Sequence, residues 1–301
     1  MGRELFDFSA AARSVFEEAD RALGFRLSKL CFEGPAEDLQ LTANTQPAIL
    51  VTSVAAAEAL REEGVRADFV AGHSLGEYSA LVAAHALSLT DAVRLVRKRG
   101  EYMQEAVPVG QGAMAALLGG DWDSIESLCR DAAQGEVCSP ANLNSPGQVV
   151  IAGHAAAIAR AVELAPKHGI RRAVMLKVSA PFHCSLMQPA AERLAQDLDC
   201  VEIQDTEIPL INNVEAQAVR GAEDIRAGLK RQVTQPVRWE DSIRKMLAEQ
   251  VTLFVEVGPG KVLSGLMKQI VRNAECVHVE DQISLRETVE RIRGALPEAS
   301  S

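Results

Sequence analysis

No apolar run in the sequence approaches the ~20 residues that a membrane-spanning helix needs, and Met1-Gly2-Arg3-Glu4 begins no signal peptide. Basic charge is scarce as well: 31 Lys and Arg face 41 Asp and Glu, for a formal charge of −10. Sequence-independent nucleic-acid binding needs a basic surface to neutralise phosphates, so that class is not expected here. The six cysteines (Cys31, Cys129, Cys138, Cys184, Cys200 and Cys276) include no CxxC pair. That pattern suits unpaired thiols in a reduced, cytoplasmic chain. Internal repeats and low-complexity tracts are missing too, which leaves a globular composition, 48% hydrophobic and 24% charged. At 301 residues the chain is long enough for about two units, or for one large α/β domain with an insertion.

Periodicity predicts a first helix carrying Phe6, Phe8, Ala11, Val15, Ala19 and Leu23, stopped by Gly24. A second helix follows Thr45-Gln46-Pro47, with Thr45 as its cap and Pro47 in its first turn, and runs to about Gly64. Asp68–Ala71 reads as a strand, residues 72–76 as a turn and Glu77 to about Leu87 as a helix, which together make a strand–turn–helix unit. Strands at Ala113–Leu118, Val137–Asn142, Gln148–Ala152 and Ala173–Val178 then alternate with helices at Ser124–Ala133 and Ala155–Lys167. Their order, β-α-β-β-α-β, is that of a ferredoxin-like module inserted from about Val109 to Ser179. Strands at Pro209–Val214, Leu253–Val257 and Cys276–Val279 resume the α/β pattern. The helices among them lie near Ser185–Leu198, Glu223–Lys230, Trp239–Ala248, Val262–Val271 and Ser284–Leu296, with a tail at Pro297–Ser301.

Gly72-His73-Ser74-Leu75-Gly76 matches G-x-S-x-G. At usages of about 7% each, three fixed residues recur by chance in roughly one such chain in ten, so the match needs its context. A strand before it and a helix after it make the sharp turn that lifts a serine hydroxyl into the open. The glycines leave room for it, and the Leu75 N–H is aimed at a developing oxyanion. The alternative is a turn whose serine merely caps the helix.

Behind a cap at Thr90–Asp91, Ala92, Val96, Arg99 and Met103 fall on one helical stripe, which turns Arg99 inward. A buried guanidinium needs a carboxylate or phosphate, either a structural salt-bridge partner or the carboxylate of a dicarboxylic acyl substrate. His183 follows a strand and Pro181 and precedes a helix starting near Ser185, where the helix dipole favours a neutral base; capping is the alternative. His73, His154, His168 and His278 have weaker cases, and His85 reads as mid-helix packing. No histidine or cysteine spacing argues for a metal.

With these residues in hand, the chain resembles the malonyl-CoA:acyl carrier protein transacylase family, to which polyketide-synthase acyltransferase domains are related. The resemblance rests on Thr45-Gln46-Pro47-Ala48, Gly72-His73-Ser74-Leu75-Gly76-Glu77, Arg99-Gly100-Glu101-Tyr102-Met103-Gln104, Asn144-Ser145-Pro146-Gly147-Gln148, Ala180-Pro181-Phe182-His183 and Glu256-Val257-Gly258-Pro259-Gly260, in the family's order across nearly the whole chain. It implies an α/β-hydrolase-like catalytic domain (residues 1–108 and 180–301) with a ferredoxin-like insertion (109–179). It further implies that Ser74 is acylated, that His183 is its base, and that Arg99 binds the malonyl carboxylate. Gln232 would orient the histidine through its backbone carbonyl, and Met103 and Phe182 would line the acyl pocket. Phe182 matches the malonyl-selecting form of its motif, where methylmalonyl-selecting relatives carry serine. The family opens with a strand and a Gly-Gln loop that gives the second oxyanion donor, and Met1–Leu5 aligns just after that loop. One missing donor is typically worth ~10²–10³ in rate.

The reaction so implied is a ping-pong transfer from malonyl-CoA to the phosphopantetheine thiol of acyl carrier protein, with no cofactor and a monomeric cytoplasmic chain. Arg171–Arg172, Lys230–Arg231 and Lys261 are candidate docking residues for an acidic carrier. The other readings are a polyketide-pathway transferase, a serine esterase or thioesterase, and a catalytically impaired homologue that lacks the front loop.

Overall fold

The computed structural model describes residues 1–178 and 180–295; the expected tail at 297–301 and residues 179 and 296 lie outside the described residues. The chain is an α/β protein. It opens with helices α1 (Arg3–Phe8), α2 (Ala10–Leu23), α3 (Leu27–Glu33), α4 (Ala36–Gln40) and α5 (Thr42–Glu62). Strand β1 (Val70–Ala71), α6 (Gly76–Ala83) and α7 (Leu89–Glu105) follow. The middle comprises β2 (Gly112–Leu118), α8 (Trp122–Ala133), β3 (Cys138–Ser145), β4 (Gln148–His154), α9 (Ala155–Leu164) and β5 (Arg172–Met175). The last part holds α10 (Gln188–Cys200), β6 (Leu210–Ile211), β7 (Ala218–Val219), α11 (Ala222–Gln232), α12 (Trp239–Ala248), β8 (Leu253–Val257), α13 (Val262–Ile270), β9 (Glu275–Val279) and α14 (Gln282–Ala295).

Several boundaries differ from the sequence reading, each for a local reason. The first helix is two, because Ser9 adopts extended backbone and its hydroxyl accepts the Ala12 N–H at 3.0 Å, capping α2. Thr45 does not cap the second long helix. Asn44 and Thr45 N–H both bond to the Leu41 carbonyl, so α5 starts at Thr42 and Pro47 lies inside it, while the Thr45 hydroxyl donates to Leu39 O. Ser88, not Thr90–Asp91, caps α7, by accepting the Asp91 N–H at 3.0 Å. The segment expected to run to Leu87 stops at Ala83, and His85 is an exposed residue with φ of 58° rather than packing. Helices α3 and α4 and strand β7 carry no periodicity long enough to be read.

Among the described residues the strands form three sheets. β1 pairs in parallel with β6, which pairs antiparallel with β7; β8 and β9 pair in parallel. The four-stranded sheet has the order β3-β4-β2-β5, and every pair in it is antiparallel. Alternation gives this sheet two apolar faces. Ala115, Leu117, Val149 and Ile151 pack under α8 and α9. Met114, Val150 and Ala152 face the opposite way and meet Cys184, with Phe182 and Leu186 alongside, so the sheet presses on the segment that carries His183.

The largest apolar cluster joins α2, α5, α6, α7 and α10. Within it α5 and α7 cross closely at Gly100, where an added Cβ would stand 2.7 Å from the Thr42 carbonyl oxygen and 2.8 Å from the Ala43 Cα. Backbone cannot yield as a side-chain tip does, so this glycine sets the distance between the helices that carry Arg99 and Gln46. Gly100→Ala is expected to cost about 1–3 kcal/mol of stability by overpacking, read as a lower urea midpoint at unchanged slope. An unchanged midpoint would refute the tight crossing.

Candidate active site

β1 and β6 are parallel neighbours, with Ala71 in register with Ile211. The chain beyond their carboxyl ends therefore emerges on one side of the sheet, where open α/β sheets put their sites. Beyond β1 comes the turn to α6, with Ser74 at φ 52°. Beyond β6 comes Asn213, fully buried. Its Oδ1 accepts the Ser74 N–H at 2.7 Å and its Nδ2 donates to Gly72 O at 2.7 Å, so one amide holds the serine turn at two points. Of the two flanking glycines only Gly72 is sterically required, since a Cβ there would meet Gly76 backbone at 2.0 Å. Around Gly76 an added Cβ finds open space, which corrects the expectation that both glycines make room. With Ser74 N–H committed to Asn213, Leu75 N–H at the start of α6 stays unpartnered among the described residues.

His183 reaches the serine from 109 residues away: Nε2 lies 2.7 Å from Ser74 Oγ. Its Nδ1 lies 2.8 Å from the Gln232 backbone oxygen. A carbonyl oxygen only accepts, so Nδ1 carries the proton and Nε2 offers its lone pair to the serine O–H. The acceptor is one of the carbonyls that the C-terminal turn of α11 leaves unpaired. Burial pushes the imidazole pKa down to about 3, and the nearby Arg99 charge works the same way. The expected helix dipole is not the cause of neutrality: α10 starts only at Gln188, after a short 3₁₀ turn at Ser185–Met187.

Arg99 is only 2% exposed. One terminal nitrogen donates to Gln46 Oε1 at 2.7 Å; the other donates to Ser74 Oγ and to Gln232 Oε1, both at 3.0 Å. Its Nε has no partner. All three acceptors are neutral, and among the described residues no carboxylate lies within ion-pair distance. The structural salt bridge that could have explained an inward arginine is therefore not there. Burial disfavours the cation, and the neutral amides stabilise it only in part.

Ser74, His183, Arg99 and Gln232, expected together, converge on one point. Met103 joins them through Gln46, whose Nε2 is 3.8 Å from its sulfur. Phe182 is half-buried between the main core and the cluster under the four-stranded sheet. Gln46, Asn213 and Glu77 were missed. Gln46 sat inside a quoted motif, whereas Asn213 had no signal beyond its place after a strand. Glu77, 1% exposed, accepts Gln232 Nε2–H at 2.8 Å and Asn213 N–H at 3.2 Å. His73 points away, with Nε2 2.9 Å from Asn144 Oδ1 on β3. Of the basic docking candidates, Lys230 is paired with Asp199 and Arg231 with Glu215 at 2.6 Å. Among the described residues no group of His, Cys, Asp or Glu could hold a metal ion.

The acyl transferase domain pattern matches residues 1–291. The malonyl CoA-acyl carrier protein transacylase of Bacillus subtilis is 50% identical over 294 residues, covering 97% of this chain and 93% of that protein. The protein of the same name from Escherichia coli K12 is 50% identical over 258 residues, 85% of this chain and 84% of that one. Among solved structures, the malonyl CoA-acyl carrier protein transacylase of Coxiella burnetii superposes with a TM-score of 0.94 at 43% identity, over 97% of this chain and 92% of that chain. A malonyl-transacylase solved in complex with a type II polyketide-synthase acyl-carrier protein gives 0.94 at 44% identity, over 97% and 94%. With the serine turn, His183 and the inward arginine in one site, this chain belongs to the acyl transferase domain family, and within it to the malonyl-CoA:acyl carrier protein transacylases.

Proposed function

We propose that the chain moves a malonyl group from malonyl-CoA to the phosphopantetheine thiol of acyl carrier protein through an ester on Ser74. One observation carries the reading: a buried guanidinium, held only by neutral acceptors, stands 3.0 Å from the nucleophilic oxygen. A three-carbon dicarboxylic acyl group attached at Oγ brings its free carboxylate to that distance. An esterase or thioesterase site of the same kind would have no use for the charge.

Ser74 Oγ–H donates to His183 Nε2, and the oxygen attacks the thioester carbon as the proton passes to the imidazole. Arg99 donates to the same oxygen and favours its anionic character. The tetrahedral oxyanion takes the Leu75 N–H. Collapse expels the coenzyme A thiolate, which leaves with the proton from His183. In the second half the carrier thiol gives its proton to His183 and attacks the Ser74 ester, and the proton returns to Oγ as the malonyl thioester departs. The Gln232 carbonyl holds Nδ1–H throughout and stabilises the imidazolium when it forms, so no third acid is required.

The domain arrangement and the acyl pocket belong to the same proposal. Residues 1–108 and 180–301 form an α/β-hydrolase-like catalytic domain, supported by the parallel β1–β6 pair and the strained serine turn. Residues 109–179 form a ferredoxin-like insertion, supported by the antiparallel order β3-β4-β2-β5 under two helices. Met103 and Phe182 shape the acyl pocket, with Phe182 excluding an α-methyl group. The chemistry uses the chain's own side chains and no cofactor besides the thioester substrate, and we assign it to a cytoplasmic monomer serving fatty acid biosynthesis. The 44%-identical neighbour with a polyketide-synthase carrier makes a polyketide pathway the second reading. Arg171, Arg172 and Lys261 stay the better candidates for the carrier surface, because Lys230 and Arg231 are already paired.

Incubation with malonyl-CoA is expected to add one malonyl group to the intact protein, and Ser74→Ala to abolish the adduct; an adduct that survives in S74A would overturn the nucleophile. Arg99→Ala should lower kcat/KM for malonyl-CoA at least about 100-fold, the worth of ~3 kcal/mol from charged hydrogen bonds, without a matching loss for acetyl-CoA. Equal losses for both substrates would show that the arginine does not bind the carboxylate. His183→Gln should slow acylation about 10⁴-fold or more. Rapid acylation by that variant would mean that another base serves Ser74.

A further inference from the structure

The acyl-transfer mechanism uses no carboxylate, yet one lies sealed beneath the site. Glu77 sits in the first turn of α6 and is buried. Its Oε2 accepts from Gln232 Nε2 at 2.8 Å and from the Asn213 backbone N–H at 3.2 Å. Those two partners are the residues that hold His183 and the serine turn.

The Gln232 side chain has two unlike ends. Its Oε1 accepts from Arg99 at 3.0 Å, while its Nε2 donates to Glu77 and, at 2.9 Å, to the Ser74 carbonyl. A flipped amide would press its NH₂ against the guanidinium and its oxygen against a carboxylate, and both contacts repel. An ionised carboxylate only accepts, so it selects the orientation that gives Arg99 an acceptor. A protonated carboxyl can donate, so it no longer selects against the flipped amide, and Arg99 and the Ser74 carbonyl alone then hold the orientation. We infer that Glu77 is a positioning residue for acyl transfer: acting through the Gln232 amide, it sets the orientation that keeps Arg99 aimed at Ser74 and at the acyl carboxylate. This inference rests on the transfer reaction proposed above.

The charged and titratable groups facing Glu77 are Arg99 from α7, Glu215 from the turn after β6, and Tyr78 on its own helix. Burial raises the carboxyl to about 7, against the lowering contacts from Gln232, Asn213 and Arg99, and Glu215 adds to the rise. His183 stays neutral down to about 3. Loss of activity on acidification near pH 7 is therefore expected from Glu77 and not from the base, with activity rising as pH increases through that range.

The test is the pH dependence of kcat/KM for malonyl transfer to acyl carrier protein, alongside malonyl loading of Ser74 followed by intact mass. Glu77→Gln keeps the shape and removes the titration. We expect kcat/KM about 10–100-fold lower, the usual cost of removing an outer hydrogen-bond partner of a working group, and an acid limb near 7 in the parent enzyme that vanishes in the variant. Gln232→Met reads the same link from the other side and serves where E77Q folds poorly. It leaves the backbone carbonyl for His183, should also lose the limb near 7, and should make E77Q without further effect in the double variant. A folded E77Q with the parent's rate and limb, or additive losses in the double variant, refutes the role of Glu77 while Ser74 still loads. Failure of the parent enzyme to load Ser74 overturns the transfer reading, and the inference with it.

Discussion

The site is organised around a buried cation whose hydrogen bonds all go to neutral groups. Desolvating a guanidinium costs several kcal/mol even after relaxation, and neutral amides return only part of it. The chain nevertheless spends a position on the apolar stripe of α7 on Arg99, and brings Gln46 and Gln232 to it from α5 and α11. On the proposed reading that charge binds the acyl carboxylate, and it also acts electrostatically on His183. The same charge helps hold the His183 imidazole at about 3 in the free enzyme. On the same reading, a carboxylate docked on Arg99 would cancel that contribution and make His183 a stronger base. Uncharged acyl groups would meet the weaker base. Selectivity and base strength then follow from one electrostatic arrangement.

How far this was legible in the sequence depends on the range of each interaction. Ser74 and Arg99 announce themselves locally, the first by a G-x-S-x-G turn between strand and helix, the second as a charge on an apolar stripe. His183 was legible as a residue after a proline break, but the cause of its neutrality was not, because burial and Arg99 act through space and the nearest α-helix starts five residues later. The Gln232 carbonyl came from family resemblance, and no periodicity points to its side chain. Glu77 shows how a local rule can hide a distant role. Ser74-x-x-Glu77 has capping-box spacing, yet the carboxylate turns to Gln232 and Asn213, 155 and 136 residues away. Asn213 is polar, buried and placed by the parallel pairing of two two-residue strands, which no pattern of alternation could reveal.

The fold's longer elements were read within a few residues because burial patterns repeat along them, and the misses cluster at caps and short turns. Thr45 and Thr90 are both good capping types, but each spends its hydroxyl elsewhere, on Leu39 O and on Glu18. The cap falls to whichever residue the preceding turn leaves in extended backbone, here Leu41 for α5 and Ser88 for α7. Tertiary partners decided these ends.

Both members of the nucleophile–base pair occupy the left-handed region, Ser74 at φ 52° and His183 at φ 60°. Such backbone costs on the order of 1–3 kcal/mol per residue and persists only where the surroundings over-determine it. Asn213 does this for the serine, binding the N–H of the strained residue and the carbonyl two positions before it. For the histidine, the four-stranded sheet packs Met114, Val150 and Ala152 against Cys184, while Gln232 fixes the ring. Asn144 on β3 also meets His73 beside the serine at 2.9 Å, so this one sheet contacts both the histidine segment and the serine turn. Loosening that sheet is expected to lengthen the 2.7 Å contact on which the proposed proton transfer depends. The four-stranded sheet thus supports the site without supplying a side chain that, among the described residues, touches Ser74 Oγ.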